Sequence, residues 1–344
     1  MNLQQNAEFR RSPNQGTKSG HVLEPVKRVI RTLALTVLIV VSLLTFPSMV
    51  PWMITFWLVA HTAAVCRGKP GWLPLLVLVG VLTAKQIYWS PSIIAFVGVA
   101  LLDAVFLWAR SFPLSSSKRL MWIGVLCVWI AWTAVILEWH TISHCSHSAK
   151  MDPNRVVVCV GDSLTSGLLP DRGYPDQLRK MIRLPVVNLG QSGITTEGGL
   201  DMLPRLKQAN PQVVVIELGG HDFLKGWDRR TTKANLEKLI AACRQTGAEV
   251  VLMEIPRGFM TDPFRGIERE IAHETDVEIV PDSGIRQLVL FSPIVPPGMW
   301  MRGYRLSDDG IHSTTRGSLL LARYVAASLE RLYGKQVRQD NKDR

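Results

Sequence analysis

Val156-Val157-Val158-Cys159-Val160-Gly161-Asp162-Ser163-Leu164-Thr165-Ser166-Gly167 decides the fold of the C-terminal half of this 344-residue chain. The apolar, mostly β-branched run reads as a buried parallel strand, and the glycine and aspartate after it end that strand in a turn. Ser163 then stands where the strand hands over to a helix, which is a nucleophile's position. Alone, such a turn can be no more than an N-cap. A nucleophilic serine needs a base, and Asp308-Asp309-Gly310-Ile311-His312 near the C-terminus offers an imidazole with a carboxylate three residues before it. Together they propose a hydrolase with Ser, Asp and His in that chain order.

Two glycine-centred segments lie between these ends, Asn188-Leu189-Gly190-Gln191-Ser192-Gly193 and Glu217-Leu218-Gly219-Gly220-His221-Asp222, each behind a short apolar run (185–187 and 213–216). Further runs at 250–255 and 278–280 alternate with helical stretches near 174–183, 197–208 and 231–246, and an amphipathic helix over about 316–332 closes the half. Alternation of this kind predicts an α/β fold with a parallel sheet between two helical layers. The loops behind the strands would collect at one edge of that sheet.

The ordered blocks resemble the SGNH, or GDSL-type, hydrolase family, over roughly residues 155 to 333. They look closest to the branch of bacterial thioesterase I, lysophospholipases and arylesterases, because Gly193-Ile194-Thr195-Thr196, Gly199 to Leu206 and Glu217-Leu218-Gly219-Gly220 follow that branch. The resemblance implies an SGNH-type three-layer α/β/α domain and a serine ester hydrolase that needs no cofactor and no metal. It makes Ser163 the nucleophile, His312 the base and Asp309 the carboxylate that orients it. The oxyanion hole would be the N–H groups of Ser163 and Gly193 together with the side chain at position 221.

There the chain departs from the family, which has Gly-x-Asn-Asp where this sequence has Gly219-Gly220-His221-Asp222. A neutral imidazole donates one N–H and an imidazolium two, so His221 can replace the lost amide. If it points away, the missing donor costs about 10²–10³ in turnover. A site degenerate in this way could bind without catalysis, which keeps a membrane-tethered binding module among the readings. Asp308 competes with Asp309 for His312, with family spacing favouring Asp309. Asp162 and Asp222 are expected to accept backbone N–H bonds that hold their turns.

The N-terminal half is different material. Residues 29–138 are dominated by Leu, Val, Ile, Ala and Trp, with candidate spans near 31–48, 51–66, 72–89, 91–109 and 120–138. Most approach the roughly 17–25 residues a bilayer helix needs. Basic residues gather before the first span (Arg10, Arg11, Lys18, Lys27, Arg28), after the second (Arg67, Lys69) and after the fourth (Arg110, Lys118, Arg119). The positive-inside rule then puts the N-terminus in the cytoplasm and, with five spans, the C-terminal domain outside. Asp103 in the fourth span either pairs with Lys85 or leaves Lys85 to reach for the interface.

The expected organisation is a basic cytoplasmic tail (1–30), an all-α transmembrane domain of about five helices (31–138), a linker (139–154), the hydrolase domain (155–334) and a charged tail (335–344). The net charge of +11 belongs to the tails and loops, because 155–334 carries 22 basic and 21 acidic side chains. That balance argues against a nucleic-acid partner. Five cysteines scattered over spans, strand, helix and linker suggest no disulfide framework, and the linker run His140 to His147 has metal-ligand types without a matching cluster elsewhere. Proline and large apolar groups over 288–301 read as a packed loop or as a wall for an acyl chain. The expected partners are therefore a membrane and an acyl ester, carried by a lipid or as an O-acyl group on a surface glycan. Acyl transfer to a sugar hydroxyl is the alternative to hydrolysis.

Overall fold

The computed structural model describes residues 19–44, 49–69, 71–110, 118–168, 173–258, 261–290 and 306–339. The helix α1 (Ser19–Leu44) falls, as far as Ser42, in one compact unit, and everything from Leu43 onward forms a second.

In the second unit, four apolar helices precede the sheet: α2 (Val50–Cys66), α3 (Trp72–Lys85), α4 (Pro91–Ala109) and α5 (Lys118–Ser143). By length and composition α4 and α5 can cross a bilayer, while α2 and α3 are 17 and 14 residues long. At 1.5 Å per residue α3 reaches only about 21 Å. It stops at Gln86, in the left-handed conformation, short of the expected end at 89. Leu107 of α4 packs with Val125 of α5 and Val65 of α2 at one end of the helices. At the other end Ser90 donates to the Glu138 carboxylate. Neither arrangement expected of Lys85 forms, since it is buried and donates to the Leu43 carbonyl at 2.9 Å, while Asp103 faces His61 at 3.4 Å in room left by the missing side chain of Gly124.

The C-terminal part is a five-stranded parallel sheet of β1 (Val156–Gly161), β2 (Val186–Asn188), β3 (Pro211–Glu217), β4 (Glu249–Met253) and β5 (Glu278–Val280), in the order β2-β1-β3-β4-β5. All four pairings are parallel, with Val158 beside Val187 and Val214. Alternate residues on each strand feed two cores. Val157, Cys159, Val213, Val215 and Val251 pack with α7 (Tyr174–Leu178), α13 (Ser283–Leu290) and α14 (Thr315–Tyr333). Val158, Val160, Val214, Ile216 and Leu252 pack with α11 (Arg229–Gln245) and α12 (Ile267–Thr275). A strand buried on both faces has to be continuously apolar, and this is why these runs carry no alternation.

Five elements differ from expectation, and the first is the helix expected over 174–183, which stops at Leu178. The stretch 197–208 is two helices, α8 (Thr196–Asp201) and α9 (Leu203–Gln208), divided at Met202 just before Pro204. Helix α12 was hidden among the charges of Glu268, Arg269 and Glu270, although Ile267, Ile271 and Ala272 give it a buried face. The linker begins as helix, since α5 runs to Ser143 so that Ile142 joins the second core. The tail from 335 starts folded: Arg183 N–H donates to Val337 O at 2.9 Å and Arg338 bridges to Ile182. The apolar, proline-rich segment 291–305 and the turn at Pro47 lie outside the described residues.

Candidate active site

The sheet order reverses direction between β1 and β3, and the loops leaving β1, β2 and β3 meet over that point. Ser163 opens the short helix α6 (Ser163–Ser166) directly behind β1 and is 4% exposed. Asp162 caps the helix by accepting Leu164 N–H at 3.0 Å. A Cβ on Gly161 would run into Thr165 Oγ1 and the Glu217 carboxylate, so only glycine allows β1 to turn this sharply above β3.

Behind β2, Asn188 ties the second loop to the first. Its amide donates to Thr165 O at 2.9 Å and its carbonyl accepts Gly190 N–H at 2.8 Å. Gly193 follows with φ +76, and a Cβ there would meet nothing within 4 Å. The positive φ selects glycine at that position, and the space beyond its backbone is open. Lys225 Nζ donates to Gly193 O at 3.2 Å, which pins the loop from the far side.

Behind β3, Gly219 takes φ +111 and leads into α10 (Gly220–Leu224), where His221 lies with Nε2 3.7 Å from Asp162 Oδ2. Asp222 is fully buried, accepting Thr196 N–H at 2.9 Å and Thr232 Oγ1 at 3.2 Å. Asp162 and Asp222 thus hold turns, as their positions suggested.

The fourth loop is closed by Thr314 N–H donating to Leu306 O at 2.9 Å and by a bridge between Ser307 and Ser313. Within it His312 Nδ1 lies 2.5 Å from Asp309 Oδ2, while Asp309 Oδ1 accepts the backbone N–H of His312 (2.7 Å) and of Ile311 (2.9 Å). Burial alone would raise the Asp309 carboxyl, but these hydrogen bonds hold it well below the usual carboxylate range. The structure therefore brings Asp309 to His312 and His221 to the turn that carries Ser163. Among the described residues no hydrogen bond joins the Ser163 hydroxyl to His312. Such contacts are often long before substrate arrives.

Sequence reasoning assigned no role to Glu217, which is 1% exposed under the Ser163 turn and accepts Asp162 N–H at 3.1 Å and Thr165 Oγ1 at 2.9 Å. Burial, then the neighbouring Asp162 charge, pushes its carboxyl well above the usual range. An acid closing an otherwise apolar strand was the available signal. Arg257, which donates to Gly219 O at 3.2 Å, had none. The linker histidines bind carboxylates, His144 facing Glu278 (3.5 Å) and His147 facing Glu249 (3.1 Å) and Asp276 (3.4 Å). Among the described residues no three His, Cys, Asp or Glu side chains gather as a metal site would require.

The pattern of the GDSL-like Lipase/Acylhydrolase family matches residues 159–320. An arylesterase of Vibrio mimicus is 30% identical over 195 residues, covering 53% of this chain and 92% of that protein. Thioesterase 1/protease 1/lysophospholipase L1 of Escherichia coli K12 is 31% identical over 186 residues, covering 51% of this chain and 84% of that protein. Among solved structures, TesA superposes over 52% of this chain and 99% of its own at 29% identity, with a TM-score of 0.43.

Proposed function

The chain belongs to the GDSL-like lipase/acylhydrolase family and is a serine ester hydrolase close to the thioesterase I and arylesterase branch, and from that premise we propose that Ser163, His312 and Asp309 are its catalytic residues. The observation that carries this reading is the Asp309 carboxylate engaging both the ring and the backbone of His312. With Nδ1 taken by Asp309, the base is Nε2. Ser163 Oγ attacks the acyl carbonyl as its proton passes to His312 Nε2. The oxyanion forms against the N–H groups of Ser163 and Gly193 and the imidazole of His221. Collapse breaks the bond to the leaving alcohol, which takes the proton from His312 and leaves an acyl group on Ser163. Water, deprotonated by the same imidazole, then releases the acid.

The helical part anchors this enzyme in a membrane. Two helices have the length for it, and their surfaces expose Leu102, Val105, Ile130 and Leu137. Orientation follows from which ends meet. Val65, Leu107 and Val125 cluster at the end that carries Arg67, Lys69, Arg110, Lys118 and Arg119, whereas Tyr88 and Ser143 reach the hydrolase domain through His273 and Arg269. Basic ends face the cytoplasm, so the hydrolase faces outward. Its substrate is then an acyl ester within reach of the outer membrane surface, on a lipid or as an O-acyl group on an envelope glycan. The outward face and the tether suit the glycan as well as the lipid. A sugar hydroxyl replacing water would make the same acyl-enzyme a transferase.

The deciding experiment treats full-length protein in detergent with a fluorophosphonate probe, alongside Ser163→Ala. Labelling and ester hydrolysis that vanish together in the variant support the reading. Undiminished hydrolysis in folded Ser163→Ala refutes it.

A further inference from the structure

The guanidinium of Arg257 is wholly enclosed and spends its donors in two directions. Nη1 and Nη2 hold both oxygens of the equally buried Glu268, the first at 3.1 Å. Nε donates to the carbonyl of Gly219 at 3.2 Å, and Nη1 also reaches Ile255 O at 3.4 Å. The plane lies over the Phe264 ring at 4.8 Å, and Phe264 packs edge-on against Phe223 of α10 at 5.9 Å. Glu268 sits on α12, whose neighbouring Arg269 is bound by Glu254 and stacked on Trp139 at 5.1 Å.

Gly219 is the residue on which the third loop turns. Its φ of +111 excludes other residues on backbone grounds, and a Cβ would lie 2.6 Å from Arg257 Nη2, so guanidinium and turn are packed as one piece. Two residues later comes His221. Phe223 N–H also reaches the Gly219 carbonyl, at 3.4 Å, and Asp222 ties α10 to Thr196, so losing the Arg257 contact loosens rather than frees the peptide that leads into His221.

We infer that Arg257, clamped by Glu268, is a positioning residue for the hydrolytic reaction, fixing the Gly219 turn so that His221 meets the oxyanion. The inference rests on the oxyanion role proposed above for His221. A rigid donor matters because its benefit in the transition state depends on being aimed beforehand, and a misplacement of about 1 Å costs on the order of 10²-fold in rate. Arginine suits the task because its planar fork serves two acceptors at fixed angles, whereas the lysine ammonium is a single point.

The test uses full-length protein in detergent with 4-nitrophenyl acetate. Arg257→Lys keeps a cation for Glu268 and gives up the fork. Arg257→Met combined with Glu268→Leu removes both charges, leaving neither unpaired, and serves if the lysine variant does not fold. In whichever variant melts within about 4 °C of the parent, kcat should fall about tenfold or more with KM within about twofold. The same change made in a His221→Ala background should cost less than about threefold, because the residue being aimed is gone. Parental kcat in a folded variant overturns the inference, as does an equal loss with and without His221, which marks a merely structural role. Ser163→Ala runs alongside: if it still hydrolyses the ester, the site reading fails and this inference with it. If it is inert while the Arg257 variants are unimpaired, only the inference fails.

Discussion

Asp309 and His312 are locked together through two routes, ring to carboxylate at 2.5 Å and backbone N–H to the other oxygen at 2.7 Å. The second contact fixes the carboxylate to the main chain of His312, so the acceptor for the ring is held in place beside it. Asp309→Asn keeps the shape but can present an N–H where Nδ1 needs an acceptor, favouring the wrong tautomer. The expected loss is about 10⁴ in kcat with little change in KM. Asp308→Asn should stay within about twofold, as surface substitutions usually do. Steady-state kinetics on the two variants decides between the carboxylates, and the reverse ranking would reassign the dyad.

The same contacts set a pH expectation. Asp309 has its carboxyl held below the usual range, so its contribution is present above the unfolded carboxylate pKa of about 4 and is lost only as pH falls through the lower folded value. Lowering the pH from 7 to about 4 should therefore cost no stability through Asp309. His221→Asn should leave kcat within about threefold of the parent, while His221→Ala should lose about 10²–10³. A collapse in the asparagine variant would mean that His221 has another task.

Much of this site was legible because its chemistry is written locally. Ser163 follows an unmistakable buried strand, and Asp309 and His312 are three residues apart in one closed loop. What could not be read depends on partners far away in sequence. Nothing near Arg257 says that its acceptor is Gly219, and Glu268 lies in a charged run that resembles a solvated face until Ile267 and Ile271 are seen to be buried. The linker was misjudged for a similar reason. Its polar composition concealed that Ile142 enters a core and that its histidines meet carboxylates from β4, β5 and the end of α12.

Of those histidines, His147 makes linker docking weaken as pH rises, whereas His144, lowered chiefly by burial, weakens it only in acid. His147 is raised, chiefly by its hydrogen bond to Glu249 against the cost of burial, with Asp276 adding to it. Its contribution is full below the unfolded histidine pKa of about 6.5 and is lost as pH rises through the folded value. For Asp276 burial works upward, but hydrogen bonds from Ser146 and His147 lower it, so its contribution is lost only in acid. Both terms are present between about pH 5 and 6.5. Amide exchange over residues 144–150 should accelerate from pH 6 to pH 8 beyond the intrinsic base catalysis, and His147→Ala should abolish that excess. An unchanged protection factor across this range would refute it.

The outward orientation proposed for the hydrolase is best read with a thiol, and the native one in the linker is the wrong choice. Burial, then the Glu278 charge, pushes the Cys145 thiol up to about 11, leaving on the order of 10⁻⁴ as thiolate at neutral pH. Cys145 should therefore label slowly from either side, and silence there says nothing about location. Lys238 on α11 is exposed and lies in the hydrolase domain, so Lys238→Cys places a reactive thiol on the domain's surface. Rapid modification of that variant by a membrane-impermeant maleimide in intact cells is the expected outcome of an outward hydrolase. Modification only after permeabilisation would turn the domain to the cytoplasm, and the basic ends of α2, α4 and α5 would then face outward against the charge rule.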